Sequence, residues 1–229
     1  MIQEHIKAVI IDDDPLHRQG ILHQLNAVDD IALVGIGTVG DHLFELVEQH
    51  QPDIIILDLN MPQRQGSKNY DFKALPAIAR VNEMYPGTLI IVISQYISLT
   101  LIRGAFETGI RGYILKDDDE AIFEIADAVR QVKRGQPVLS NAIRQEMFKS
   151  RYPTDLVEFT KQQTKVMRQL ASDLDASYQY HADALGIAEK TFRNHLSEIN
   201  RKLGTTNKTA SVVRCMELGI IPFNSRYIE

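Results

Sequence analysis

Cysteine is almost absent from this 229-residue chain. Cys215 stands alone, which excludes an internal disulfide framework and a zinc site built on cysteines. Long apolar runs are missing too: no stretch reaches the roughly 18 residues of a membrane-spanning helix, so no membrane segment is expected. The opening "MIQEHIKAVIIDDDP" has no small-residue cleavage site, and acidic residues follow its apolar run at once, so it does not read as a signal peptide. Internal repeats and low-complexity tracts are also lacking. A cytoplasmic protein is the expectation, and a hydrophobic share of 44% is enough for a sizeable core.

What is present is unevenly distributed. Residues 1–134 carry 12 Lys+Arg against 20 Asp+Glu, a net charge of −8, and the remainder carries 13 against 10, a net of +3. Between Gly186 and Arg214 there are six basic residues and two acidic ones. An acidic first part and a locally basic last part predict two domains with different partners.

The first part alternates short β-rich runs, Ile6–Ile11, Ile31–Gly37, Ile54–Leu57, Leu89–Ile93 and Gly112–Leu115, with helically spaced apolar segments. These segments are Leu16–Leu25, Leu43–Val47, Leu75–Met84, Leu99–Phe106 and Ile122–Val132. That alternation predicts an α/β, doubly wound, five-stranded parallel sheet over residues 1–134. Residues 135–156, with Gly135, Pro137 and Pro153 as breakers, read as a linker holding one helix, Asn141–Lys149. Residues 157–229 hold only helical patterns, Lys161–Leu174, Tyr178–Leu185, Glu189–Leu203 and Lys208–Leu218, with Gly186, Gly204 and Gly219 as punctuation.

Ligands of open parallel sheets bind beyond the carboxyl ends of the strands. Here those ends carry Asp12, Asp13 and Asp14 after the first run, Asp58 after the third, Ser94 after the fourth and Lys116 after the fifth. Singly, each reads as a cap, a turn former or a surface residue. Together, at successive strand ends, they describe an oxygen-only cation site beside a free carboxylate, a hydroxyl and an ammonium. Such oxygen donors suit Mg²⁺, and the set suits a phosphoryl group accepted by Asp58.

With those residues in view, the chain resembles the response regulators of two-component signalling that carry a LuxR-type helix-turn-helix (the NarL/FixJ-like group). "VIIDDDP", "IIILDLNMP", "IIVIS" and "GYILKD" match the acidic-pair, phosphoacceptor, hydroxyl and lysine motifs of the flavodoxin-like receiver fold. The resemblance implies Asp12 and Asp13 as metal ligands, with Asp58 and the backbone carbonyl of Asn60, and Asp58 as phosphoacceptor. It implies Ser94 and Lys116 as holders of the phosphoryl oxygens and Tyr113 as the switch aromatic. The chain departs from the pattern at Gln95, where many receivers have a small residue. It departs again in a longer segment after Gly66, with the excess in "SKNYDF" (residues 67–74 broadly), beside the site.

"TFRNHLSEINRKLGTTNKTASVV" is similar to the core of the LuxR-type four-helix domain, and Glu189–Leu203 is its major-groove helix by that resemblance. Phe192, Leu196, Ile199 and Leu203 share the core face. Arg193 and Asn194 are the expected base readers, with Ser197 beside them, while Lys190, Thr191 and Lys208 suit phosphates. The last helix, with Ala210, Val213, Met216 and Leu218, fits either a dimer surface or the small domain's own core. The reading is a transcription regulator that a histidine kinase phosphorylates at Asp58, working with Mg²⁺ as a homodimer on palindromic DNA. It is not an enzyme beyond its own phosphotransfer and dephosphorylation. Competing readings are a regulator independent of phosphorylation, with the receiver as a dimerisation or interaction module, and a phosphatase, which Asn60 disfavours by standing where a second acid is needed.

Overall fold

The computed structural model describes residues 5–149, 157, 159–218 and 220–221. Pro153, Gly219, the end of the linker and the last eight residues of the C-terminal domain therefore lie outside the described residues.

Strands β1 (Ile6–Ile11), β2 (Ile31–Gly37), β3 (Ile54–Asp58), β4 (Leu89–Ser94), β5 (Gly112–Leu115) and β6 (Val138–Leu139) form one sheet in the order β2-β1-β3-β4-β5-β6. Every pairing is parallel. The helices α1 (Pro15–Asn26), α2 (His42–His50), α3 (Ala74–Met84), α4 (Leu99–Glu107), α5 (Asp119–Phe123) and α6 (Ile125–Lys133) cover it. Alternate residues of each strand feed opposite faces. Val9, Ile11, Ile55, Leu57, Ile90 and Val92 pack with α2, α3 and α4. Ala8, Ile10, Ile54, Ile56, Ile91 and Ile93 pack with α1 and α6. Burial on both faces is why these strands read as unbroken apolar runs.

Two differences from the sequence expectation stand out. The sheet has a sixth strand, because Val138 and Leu139 pair with Gly112 and Tyr113 inside the stretch read as linker. Two residues between Pro137 and Ser140 are too few to show a periodicity. The segment expected as one helix, Ile122–Val132, is two, broken at Glu124, whose backbone (φ −94°, ψ 16°) is not helical.

Helix α7 (Asn141–Lys149) follows β6, and α8 (Lys161–Ser172), α9 (Tyr178–Ala184), α10 (Glu189–Leu203) and α11 (Lys208–Glu217) build the second domain. A capping box, Thr160 with Gln163, starts α8. Gly204, left-handed at φ +67°, ends α10 and returns its N–H to Asn200. Val166, Leu170, Phe192, Leu196, Ile199 and Val212 form this domain's core.

Helix α11 belongs to both domains. Val212, Cys215 and Met216 close the small core, while Ala210 and Val213 join the receiver cluster that contains Phe106 and Tyr113. Asn207, which caps α11, also donates to the carbonyls of Phe106 (3.1 Å) and Glu107 (3.0 Å) at the end of α4. Thr206 donates to the Glu107 carboxylate, Arg111 pairs with Asp175 at 2.7 Å, and Leu174 N–H donates to the Gly135 carbonyl at 2.7 Å.

Candidate functional site

The strand register brings the site together. Ile11 lies opposite Leu57, Asp58 opposite Ile93, and Ser94 opposite Leu115. Asp12, Asp58, Ser94 and Lys116 therefore leave the sheet at one edge, and all four are buried. One carboxylate oxygen from each of Asp12, Asp13 and Asp58 falls within 4.8 Å of the others. The Lys116 ammonium bonds Asp58 Oδ2 at 2.8 Å and Asp12 Oδ1 at 3.0 Å. Asp58 Oδ1 accepts from Asn60 N–H at 3.0 Å, and Asp12 Oδ1 accepts from Asp14 N–H at 2.8 Å.

The donor set fits a hard divalent cation. Asp12 Oδ2 is buried and lies 2.8 Å from the Lys116 ammonium, yet accepts no well-directed hydrogen bond. A lone pair is thus left in a cluster of three carboxylates and a single ammonium. Burial raises the Asp58 pKa, against the lowering effects of Lys116 and the Asn60 amide. Burial also disfavours the Lys116 ammonium, but its hydrogen bonds to Asp12 and Asp58 outweigh this and its pKa is raised.

Ser94 is fully buried, and its hydroxyl accepts from Tyr96 N–H at 3.2 Å. Tyr113 is buried too, and its hydroxyl donates to the Tyr96 carbonyl at 3.3 Å. Burial raises the Tyr113 pKa, a hydrogen bond with Ser94 opposes this, and the Asp58 charge adds to it. The tyrosine is therefore both a core residue and a neighbour of the site. Its ring shares a cluster with Ala210 and Val213 of α11.

An open cleft over the site is lined by Asp13, Leu16, Asp58, Gln95, Lys116 and one residue that the motifs do not reveal, Tyr70. Tyr70 lies in the longer loop between β3 and α3, and the Asp13 carboxylate, which lines the same cleft, raises the phenol's pKa. The one sequence signal was an aromatic inside the extra segment; only the loop's path places it here.

On α10, Lys190, Thr191, Arg193, Asn194 and Ser197 are all exposed, opposite the buried Phe192, Leu196 and Ile199. Arg193 pairs with Glu189 at 2.6 Å, and its guanidinium lies 4.4 Å from the Tyr178 ring centre. Lys208 departs from this exposed set. It is half-buried beside the same ring, and burial and the nearby Arg111 lower its pKa.

Two families match separate stretches of the chain. Residues 8–127 match the response regulator receiver domain family, and residues 157–215 match the bacterial regulatory proteins of the luxR family. The uncharacterized transcriptional regulatory protein YxjL of Bacillus subtilis is 27% identical, over 96% of this chain and 100% of its own. The transcriptional regulatory protein DegU of Brevibacillus brevis is 28% identical, over 95% of each. The structure of the response regulator RcsB bound to DNA has the same fold at a TM-score of 0.54 and 20% identity, covering 94% of this chain and 100% of that one. Among the described residues no helix is long and apolar enough to cross a membrane.

Proposed function

The chain belongs to the two-component response regulators, a receiver joined to a LuxR-type DNA-binding domain, and on that premise we propose that phosphorylation of Asp58 by a histidine kinase controls its binding to DNA. The observation that carries this reading is the Asp12–Asp13–Asp58–Lys116 cluster at one sheet edge. A carboxylate oxygen of Asp58 bonds to phosphorus as the kinase's N–P bond breaks, and the histidine leaves with its electron pair. Asp12, Asp13, Asp58 and the Asn60 carbonyl would hold Mg²⁺, which supplies positive charge against the phosphoryl oxygens when bound. Lys116 already stands 2.8 Å from Asp58 to do the same, and the Ser94 hydroxyl donates to the new group.

The added charge of about −1.5 to −2 draws Ser94 and Lys116 toward it and unsettles Tyr113. Because Tyr113 belongs to the same packed cluster as Ala210 and Val213, the disturbance is passed through that cluster to α11. Release of α11 from α4 frees the α11 surface for a second copy. Two copies answer an energetic need. One helix with two readers gives about 1–3 kcal/mol of discrimination per bidentate contact, whereas specific sites exceed non-specific DNA by roughly 4–10 kcal/mol. A homodimer on a palindromic site meets that range, with Arg193 and Asn194 at bases and Lys190 and Thr191 at phosphates.

The test compares DNA affinity of the full chain, in Mg²⁺, with and without beryllofluoride. Tighter binding and dimerisation are expected for the wild type and no response for Asp58→Asn. Equal affinity in all four conditions would favour a regulator that works without phosphorylation.

A further inference from the structure

The loop between β3 and α3 reaches back over the cleft and is fastened at its far end. Gln63 N–H donates to Asp71 at 3.1 Å, and Phe72 N–H donates to the Met61 carbonyl at 3.3 Å. The Phe72 ring fills the space over Gly40, where a Cβ would come within 2.2 Å of it. The next residue back from this anchor pair is Tyr70, 59% exposed. It borders the cleft together with Asp13, Asp58, Gln95 and Lys116, where the Asp13 charge raises the pKa of its phenol. Anchoring so close to an exposed ring holds that ring at the cleft by packing and backbone hydrogen bonds, so its placement does not depend on Asp13 alone.

We propose that Tyr70 is a positioning lid on the phosphoacceptor site: its hydroxyl competes with the divalent cation for Asp13, and its ring screens the Asp58 acyl phosphate from water. The inference deepens the phosphorylation reading and rests on it. Hydrolysis needs a water in line with the Asp58 O–P bond. The water oxygen bonds to phosphorus, Asp58 leaves as a carboxylate, and inorganic phosphate departs with one proton released to solvent. The Tyr70 ring, Leu16 and Gln95 stand around the mouth through which that water enters. The same screen slows a small phosphodonor on its way in.

Two variants separate the hydroxyl from the ring, and both leave the Phe72 anchor intact. Mn²⁺ affinity is read by electron paramagnetic resonance on the unphosphorylated full chain, which needs no turnover. The half-life of acid-labile phosphate is read after loading with acetyl phosphate. Tyr70→Phe is expected to bind Mn²⁺ roughly three- to tenfold more tightly, the worth of one hydrogen bond, with a half-life near that of the wild type. Tyr70→Ala is expected to share the tighter binding and to shorten the half-life about fivefold or more by admitting water. Mn²⁺ affinities and half-lives that stay within about twofold of the wild type in both variants overturn the lid. Failure of all three proteins to take up label overturns the phosphorylation reading and, with it, the screening role.

Discussion

At the receiver's sheet edge Lys116 is buried between Asp12 and Asp58, whereas on α10 Arg193 stands exposed beside Glu189 and the Tyr178 ring. Both carry charge, but the surroundings give it different work. Buried among carboxylates, the ammonium is structurally necessary, since removing it leaves largely buried charges unpaired. On the open helix face the guanidinium is exposed and available to a partner. On the proposed reading, a small chemical change at the buried cluster moves the protein, whereas the exposed row meets a partner without moving it.

The largest effect should separate these roles most clearly. Lys116→Met should destabilise the receiver by about 3–5 kcal/mol in urea denaturation without divalent cations, and added Mg²⁺ should restore part of the loss. A variant as stable as the wild type in chelator would remove the buried half of the contrast. Arg193→Ala should cost about 1–3 kcal/mol of DNA discrimination with an unchanged melting temperature. A fall in stability would mean that its contacts with Glu189 and Tyr178 hold the domain together. The subtlest case lies inside the DNA-binding domain. His181 is fully buried, stacked on Phe192, and neither ring nitrogen makes a well-formed hydrogen bond. Burial lowers its pKa, the Asp173 carbonyl and carboxylate oppose this, and Lys208 adds to the lowering. The folded domain thus resists a proton that the unfolded chain accepts. Its stability should fall as pH drops below the ordinary histidine value of about 6.5, and His181→Phe should flatten that slope in thermal melts at several pH values.

Much of the receiver was legible because its determinants are local. Ile54–Leu57 is apolar throughout since both faces of β3 are covered, and the carboxylate after it marks a sheet edge in any parallel fold. The run Glu189–Leu203 matched α10 to the residue, fixed by Phe192, Leu196 and Ile199 at helical spacing and by Gly204. What stayed hidden depends on contacts across the chain. Val138–Leu139 is a strand only because β5 offers an edge. Tyr70 borders the cleft on a loop whose neighbouring Phe72 packs over Gly40. Of Ala210, Val213, Met216 and Leu218, read as dimer surface or small-domain core, Met216 does close the small core, whereas Ala210 and Val213 pack in the receiver cluster, which neither reading foresaw.

Cys215 has no other thiol to confuse it. Its sulfur is fully buried in α11, and burial pushes its pKa up to about 12, with Arg214 pulling slightly the other way. An alkylating reagent therefore finds no thiolate until this helix opens. The rate of single-site labelling becomes a clock for the fluctuations of an element that both halves of the protein share.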